Sequence, residues 1–316
     1  MAAHMLQMSF NRCLSDVAFH CQAGKNHKCT RFSLYLSIMH IAIFTILALI
    51  AFAGNSILGR MALGQQTIDP ASFTTVRLLS GALSLWLIIS LRNRQLFTHR
   101  PDWLSSSFLF AYAICFSFAY LSLDTGTGAL ILFGMVQVTM IAFGLFKGDR
   151  PHWLAWCGIL IASSGLGYLV WPGVTAPSVL GASLMAISGL AWGCYSLKGK
   201  SSSRPLIATA SNFIYTVPIT LMASLLFIDD HFISRTGLVL AILSGAVTSG
   251  VGYAIWYRVL PGLTATRAAS LQLSVPVIAT LGGILFMDER LTLRLLIASV
   301  MILGGIALVI FNKEKQ

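Results

Sequence analysis

The sequence predicts an all-α polytopic membrane protein with ten transmembrane helices arranged as an inverted 5+5 repeat. Three observations predict it. Apolar stretches long enough to cross a bilayer recur ten times along the 316 residues. The basic residues gather on one side of the alternate connections. The chain also overlays on itself at a constant offset of 140 residues.

Composition sets the class. Hydrophobic residues make up 56% of the chain and charged residues 10%. A soluble domain carries about 25% charged residues, because water must wet its surface. Here most of the surface is left to face lipid, so the bilayer is the expected partner. A net charge of +11 would suit nucleic acid if it formed a basic face or tract. It is scattered instead through short connections, and no nucleic-acid partner is expected.

Taken in order, residues 1–38 are polar, mixed in charge and aperiodic, and read as a disordered cytoplasmic tail. Met39 is an alternative start. Cys13, Cys21 and Cys29, near His20 and His27, lack the tight cysteine pairs of a zinc site, so no metal is expected. A bilayer core of ~30 Å takes about 20 apolar residues per helix. Runs of that kind lie at 41–62, 71–91, 103–123, 126–146, 153–171, 178–197, 206–228, 237–257, 266–287 and 291–311. Ala51-Phe52-Ala53 has the small-x-small form of a signal-cleavage site, but cleavage there would remove a helix and break the repeat. The third run is the weakest, with Ser105, Ser106 and Ser107 near its start. Between runs stand turn formers such as Asp69-Pro70, Arg150-Pro151, Trp171-Pro172-Gly173 and Pro261-Gly262. Cys115, Cys157 and Cys194 fall inside runs, where a thiol acts as a small hydrophobe.

Sixteen lysines and arginines lie on the side that holds both termini. Four lie on the other: Arg60, Arg235, Arg290 and Arg294. Positive charge stays inside. Both ends are therefore expected in the cytoplasm, with the chain in the cell inner membrane.

The repeat is carried by polar landmarks. AFAGNSILGR at 51–60 falls on AWGCYSLKGK at 191–200, so Ser56 meets Ser196, Gly59 meets Gly199 and Arg60 meets Lys200. FKGDRP at 146–151 falls on FMDERL at 286–291, and Gly165 on Gly305. Five helices is an odd number, so the second copy enters the membrane upside down. Inverted repeats recur in secondary transporters that rock about a central site, although channels have repeats too.

Residues 260–310, LPGLTATRAASLQLSVPVIATLGGILFMDERLTLRLLIASVMILGGIALVI, resemble the second EamA repeat of the drug/metabolite transporter superfamily. The features that match are Ala265, Ala268 and Ala269, Pro276 in mid-helix, Gly282-Gly283, Glu289 at the helix end and Gly304-Gly305. GLAWGCYS at 189–196 is similar to the Trp-Gly opening of such a repeat, and Arg77 matches an arginine often found in the second helix. The resemblance implies an EamA-type transporter with repeats at 39–174 and 175–316, working without a cofactor, and leaves a homodimer open. The first copy departs from the pattern. Val136 stands where the family has proline, Phe52-Ala53 stands for Trp-Gly, and Asp149 stands for glutamate.

Polar residues in the runs are the candidate site. An ionisable group in hydrocarbon costs at least ~2.5–3.5 kcal/mol, so Arg77 either meets a substrate carboxylate or snorkels to a loop carbonyl or Asp69. Arg267, at the start of helix 9, reads more simply as a helix-end cation. Asn55, Gln137, Asn212 and Gln272 either bridge helices or line a cavity. The resemblance puts helices 4 and 9 at the centre, which favours the cavity for Gln137 and Gln272. Trp192 and Tyr195 share a face at i, i+3, as do Tyr253 and Trp256. Each pair is either interfacial packing or a cavity wall. Pro218 and Pro276 are kinks or hinges. The expected substrate-binding set is Asn55, Arg77, Gln137, Trp192, Tyr195, Tyr253, Trp256 and Gln272.

No Asp or Glu falls in mid-run. Asp69, Asp124, Asp229, Asp230, Asp288 and Glu289 all stand at run ends opposite the termini, so no buried proton relay is written here. There is no HExxH, no P-loop and no paired intramembrane carboxylates, so catalytic residues are not expected. The leading reading is export of a small polar metabolite such as an amino acid by alternating access. The alternatives are an exchanger of nucleotide sugars or other anions and, remotely, a membrane-embedded enzyme or a non-transporting subunit.

Overall fold

The computed structural model describes residues 27–93, 102–146, 153–173, 176–200, 202, 204–259 and 271–313. They form ten helices and, among the described residues, no strand beyond one isolated bridge. In chain order these are α1 His27–Gly64, α2 Pro70–Asn93, α3 Trp103–Ala119, α4 Thr125–Phe146 and α5 Trp153–Val170, then α6 Val179–Lys200, α7 Pro205–Leu225, α8 Arg235–Val259, α9 Ser274–Met287 and α10 Leu293–Lys313. Seven are long and apolar enough to cross a bilayer, whereas α3, α9 and the apolar part of α10 are shorter.

Residues up to Ile46 form one unit and Leu47–Gln316 a second. In the first, the backbone is helical from His27. Residues 27–38, expected as tail, are thus helical, while residues 1–26 lie outside the described ones. Everything below concerns the second unit.

Side-chain caps start the helices where the turn formers stood. The carboxylates of Asp69 and Asp102 accept the backbone N–H of Ser72 and Ser105, and the hydroxyls of Ser178, Ser234 and Thr292 accept those of Gly181, Gly237 and Leu295. Pro70 and Pro205 occupy the first turn, where a missing N–H costs nothing. Burial is inverted relative to a soluble protein. Leu91, Leu160, Leu226, Leu285 and Val300 are exposed, while Thr74, Ser106, Ser117, Ser188 and Thr216 are buried. The buried hydroxyls join helices: Thr74 Oγ1 donates to Ser117 Oγ at 2.7 Å and Ser188 Oγ to the Tyr112 carbonyl at 2.9 Å. An apolar exterior over hydrogen-bonded polar contacts suits hydrocarbon as the solvent.

Helix pairs set the layout. α5 lies along α10, α4 along α9 and α2 along α7, while α3 packs on α6 and α2 also packs on α8. Small residues permit the closest crossings. A Cβ on Gly158 would stand 2.5 Å from the Gly305 carbonyl oxygen, and one on Gly305 would stand 2.5 Å from that of Gly158. Gly304, its neighbour in the chain, has open space around it.

The middle of α8, Leu243–Val251, is wound as a π-helix. Such segments are rare and frequent at functional sites. Gly245 and Gly250 within it bring its backbone against Ser80 and Ser84 of α2, with no room for a side chain. Pro276 is not in mid-helix. Leu271 and Gln272 are helical, Leu273 is a turn, and α9 starts at Ser274. A proline ring clashes with the carbonyl four residues earlier, here that of Gln272, and lacks the N–H that would continue the ladder. Arg267 lies outside the described residues.

Connections meet at two ends. Thr67 and Asp69, after α1, bond to Ser234 and Phe232, after α7. Arg60, at the end of α1, reaches Asp124 after α3 and Glu289 after α9. Arg294 donates to the Trp171 carbonyl after α5 at 2.6 Å. At the opposite end, Lys198 of α6 grips Asp102, before α3, at 2.6 and 2.8 Å.

Candidate functional site

A cavity of about 380 Å³ lies between the helices, within the ~300–1,000 Å³ range of small-molecule sites. Phe52, Asn55 and Ser56 of α1 line it, with Tyr112 and Phe116 of α3, Leu132, Phe133, Gln137 and Met140 of α4, and Trp192, Ser196 and Gly199 of α6. Thr248, Ser249, Tyr253, Trp256 and Tyr257 of α8 complete it, together with Ser202, Pro205 and Gln272. Six of the eight expected residues are therefore in one wall: Asn55, Gln137, Trp192, Tyr253, Trp256 and Gln272. Tyr195 and Arg77 stand behind it. Pro218 is on an exposed face of α7, away from the cavity. Gln272 reaches the wall at the break before Pro276, where irregular backbone beside a cavity is tolerated.

The wall is largely aromatic. Trp192 stacks on Tyr195 (5.3 Å, 30°) and on Tyr253 (5.2 Å, 22°), and leans on Tyr112 (4.8 Å, 44°). Phe52 packs edge-on to Trp256 at 5.7 Å and tilts against Tyr253 at 5.8 Å. Sharing a face at i, i+3 places Tyr195 beside Trp192 but does not expose it. Tyr195 is 2% exposed, and its hydroxyl accepts from Asn212 at 3.5 Å.

The polar part is centred on Tyr112, which sequence reasoning missed. Its hydroxyl accepts from Asn55 Nδ2 at 2.9 Å and from Arg77 Nη2 at 2.7 Å. Asn55 Oδ1 in turn accepts from Ser244 Oγ at 2.7 Å, inside the π segment. Ser244 and Thr248 share this side of α8 at the ordinary i, i+4 spacing, and the π winding adds Ser249. Arg77 is 2% exposed and lies over the rings of Phe116 (4.6 Å) and Tyr112 (5.1 Å). Among the described residues it reaches neither Asp69 nor a loop carbonyl. Among the described residues no Asp, Glu, Lys or Arg lines the cavity.

A polar cluster lies beyond one end of the cavity, where α1, α4 and α9 finish or start. Glu289 accepts from Thr125 N at 2.9 and 3.0 Å, from Thr125 Oγ1 at 3.0 Å and from Arg60 Nε at 3.4 Å. Arg60 also holds the Tyr120 carbonyl at 3.1 Å and Asp124 at 3.4 Å. A carboxylate against the first N–H groups of α4 is favoured by the helix dipole. A second, more polar cavity of about 280 Å³ lies here, bordered by Asp124, Glu289, Arg290 and Arg294. The main cavity runs the other way, to Gly199, Ser202 and Pro205. Near that end, burial pushes the Asp102 carboxyl up, but hydrogen bonds from Lys198 and Ser105 outweigh it and hold the group below the usual carboxylate range. Among the described residues no His, Cys, Asp and Glu cluster is suited to a metal. Cys13 and Cys21 lie outside them.

Comparison with known proteins agrees with this layout. The profile of the EamA-like transporter family matches residues 39–171 and again 179–311. An uncharacterized protein of Pseudomonas aeruginosa is 48% identical over 85% of this chain and 93% of its own length. A protein of Escherichia coli named "Probable amino-acid metabolite efflux pump" is 25% identical over 68% of this chain and 80% of its own length. A solved crystal structure 17% identical in sequence superposes with a TM-score of 0.59, covering 83% of this chain and 94% of that one, which shows a shared fold.

Proposed function

This chain belongs to the EamA-like transporter family, and on that premise we propose that it is a secondary transporter of the cell inner membrane that exports a small polar metabolite, such as an amino acid, by alternating access. Family membership makes it a multi-pass membrane transporter and not an enzyme. The observation that carries the finer reading is the cavity itself. It is walled by α1, α3 and α4 of the first half and by α6, α8 and Gln272 of the second. A site drawn from both halves is what rocking of one half against the other would expose alternately.

The inverted 5+5 arrangement is supported by the pairs α2–α7, α4–α9 and α5–α10, since each joins the two copies of one position. Ten crossings are supported by the connections that meet. Those after α1, α3, α5, α7 and α9 contact one another, and Lys198–Asp102 marks the other end. The excess of basic residues puts that other end, and both termini, in the cytoplasm. The cavity then extends toward the cytoplasm, and the Arg60–Glu289 cluster lies on the outer side. Amides and aromatic faces, with no charged side chain among the described wall residues, favour a small amphiphilic solute over a nucleotide sugar, whose several negative charges would want several cations. The name of the E. coli relative points the same way.

The test is flux. Purified chain in proteoliposomes should move radiolabelled L-amino acids above the rate of protein-free liposomes, and a pH gradient alone should not drive uphill accumulation. Absence of flux across the amino-acid panel would sink the reading.

A further inference from the structure

The polar end of the cavity offers donors without acceptors. The Tyr112 hydroxyl oxygen has two lone pairs, and both are taken, by Arg77 Nη2 and Asn55 Nδ2. Arginine can only donate. The asparagine turns its amide nitrogen to Tyr112 and its amide oxygen to the hydroxyls of Ser244 and Thr248. Tyr112 therefore cannot give its own proton to either neighbour. Among the described residues no group accepts it, and Tyr112 lines the cavity. Two more residues in the wall are incomplete. Gln137 is 3% exposed and Ser249 is 2% exposed, and among the described residues Gln137 Nε2 and Ser249 Oγ have no hydrogen-bond partner.

Behind this set stands a buried charge. Among the described residues Arg77 Nη1 also lacks a partner, and no carboxylate lies within 4 Å of the guanidinium. Its rings, Tyr112 and Phe116, are themselves cavity wall. An anion in the cavity would face this charge across one layer of aromatic side chain and would complete the hydrogen bonding of the donors.

We infer that the cavity selects substrates that carry a carboxylate, held by Tyr112, Gln137 and Ser249, with Arg77 as a positioning residue that locks Tyr112 as a donor and supplies the counter-charge without touching the substrate. This rests on the transport reading and names its substrate class. A simpler role for Arg77, clamping α2 to α3 through two rings, would leave the choice between charged and neutral ligands unchanged.

The experiment measures binding by the purified full chain, through thermal stabilisation and equilibrium dialysis, of L-phenylalanine, L-leucine and L-threonine against their carboxamides. A hydrogen bond to a charged group corresponds to about a tenfold change in affinity or more. Acids should bind about tenfold more tightly than their carboxamides or better, and Ser249→Ala should weaken the acids about tenfold while leaving the carboxamides within about twofold. That variant removes an unpartnered hydroxyl, so folding is not at stake. Arg77→Gln should erase the acid preference and Arg77→Lys should retain it. Tyr112→Phe should act like Ser249→Ala, and a failure of that variant to fold leaves the decision to the other three. Equal binding of acid and carboxamide, no binding of either, or an acid preference that survives both Ser249→Ala and Arg77→Gln would overturn the inference. Flux measured beside binding separates the two readings. Acid-selective binding without flux removes the transport proposal and keeps this one, and flux without acid selectivity does the reverse.

Discussion

Replacing Glu289 with glutamine should loosen the end of the site that the proposed topology puts outside. The carboxylate takes three contacts from Thr125 and one from Arg60, with side chains only 12% and 20% exposed. Hydrogen bonds to a charged acceptor contribute roughly 1.5–3 kcal/mol each set. The α4 dipole adds about 0.3–1 kcal/mol, and the 3.4 Å ion pair about 1 kcal/mol or less. Glutamine keeps one carbonyl oxygen and loses the charge, so about half of this should go, roughly 2 kcal/mol. If outward opening parts α1 and α4 from α9, that amount raises the outward-open population about 30-fold. Ser56, a cavity residue, is the reporter. In a cysteine-free background, Ser56→Cys should react with an impermeant maleimide from the outer face of right-side-out vesicles, and Glu289→Gln should speed the reaction by roughly that factor. A rate within about twofold of the parent, at unchanged thermal stability, would refute the reasoning.

Other predictions follow from the packing and the charges. Gly305→Leu should lower the Tm in detergent, at a cost of about 1–3 kcal/mol from overpacking against Gly158, whereas Gly304→Leu, with nothing within 4 Å of its Cβ position, should be nearly neutral; equal losses would show that α5 and α10 do not cross as described. Asp102 is held below its ordinary value of 3.8. Its folded pKa is depressed, so its contribution is complete above that value and is lost as pH falls through the lower folded one. The carboxylate is 42% exposed, which keeps the gain below about 1 kcal/mol, and the Tm advantage over Asp102→Asn should shrink only below about pH 4. Cysteines placed at positions 200 and 229 should label from the cytoplasmic and the outer face respectively, and the reverse pattern would invert the topology.

Much of the helical layout was legible because bilayer thickness imposes a length and lipid imposes an apolar composition, both of which are local properties. The candidate residues were legible for a related reason: an amide or guanidinium in an apolar run is costly enough to need an explanation. That reasoning singled out Asn55, Gln137 and Gln272, which line the cavity, and Arg77 as special, but not Arg77's partner. Tyr112 sits in FAYAICFSFAY, where one tyrosine among so many aromatics reads as packing, and only its approach to a residue 35 positions away gives it a role. Ser249 was hidden differently. At about 100° per residue it falls roughly 140° round the helix from Ser244, and no local signal in LSGAVTSGV announces the wider winding. Tyr195 was misplaced because a shared helix face does not say which of two stacked rings is in front.

The π segment makes α8 a helix with slack in its register. Each residue advances an α-helix by about 100°, so returning one wide turn to ordinary winding would rotate one end of α8 against the other by roughly a quarter turn. The Arg235 end of α8 is bonded to the α1–α2 connection through Ser234 and Thr67, and Gly245 and Gly250 are seated on α2. The end free to turn is then the one that bears Tyr253 and Trp256. Deleting Val247, whose side chain faces outward at 49% exposure, removes the slack outright. Trp256 should then swing away from Phe52, read as a change in its fluorescence against a Trp256→Phe control, and an unchanged spectrum would mean that the wide turns serve only to fit α8 onto α2. With the slack in place, the aromatic wall can be re-aimed by rewinding one helix, without sliding any helix along another.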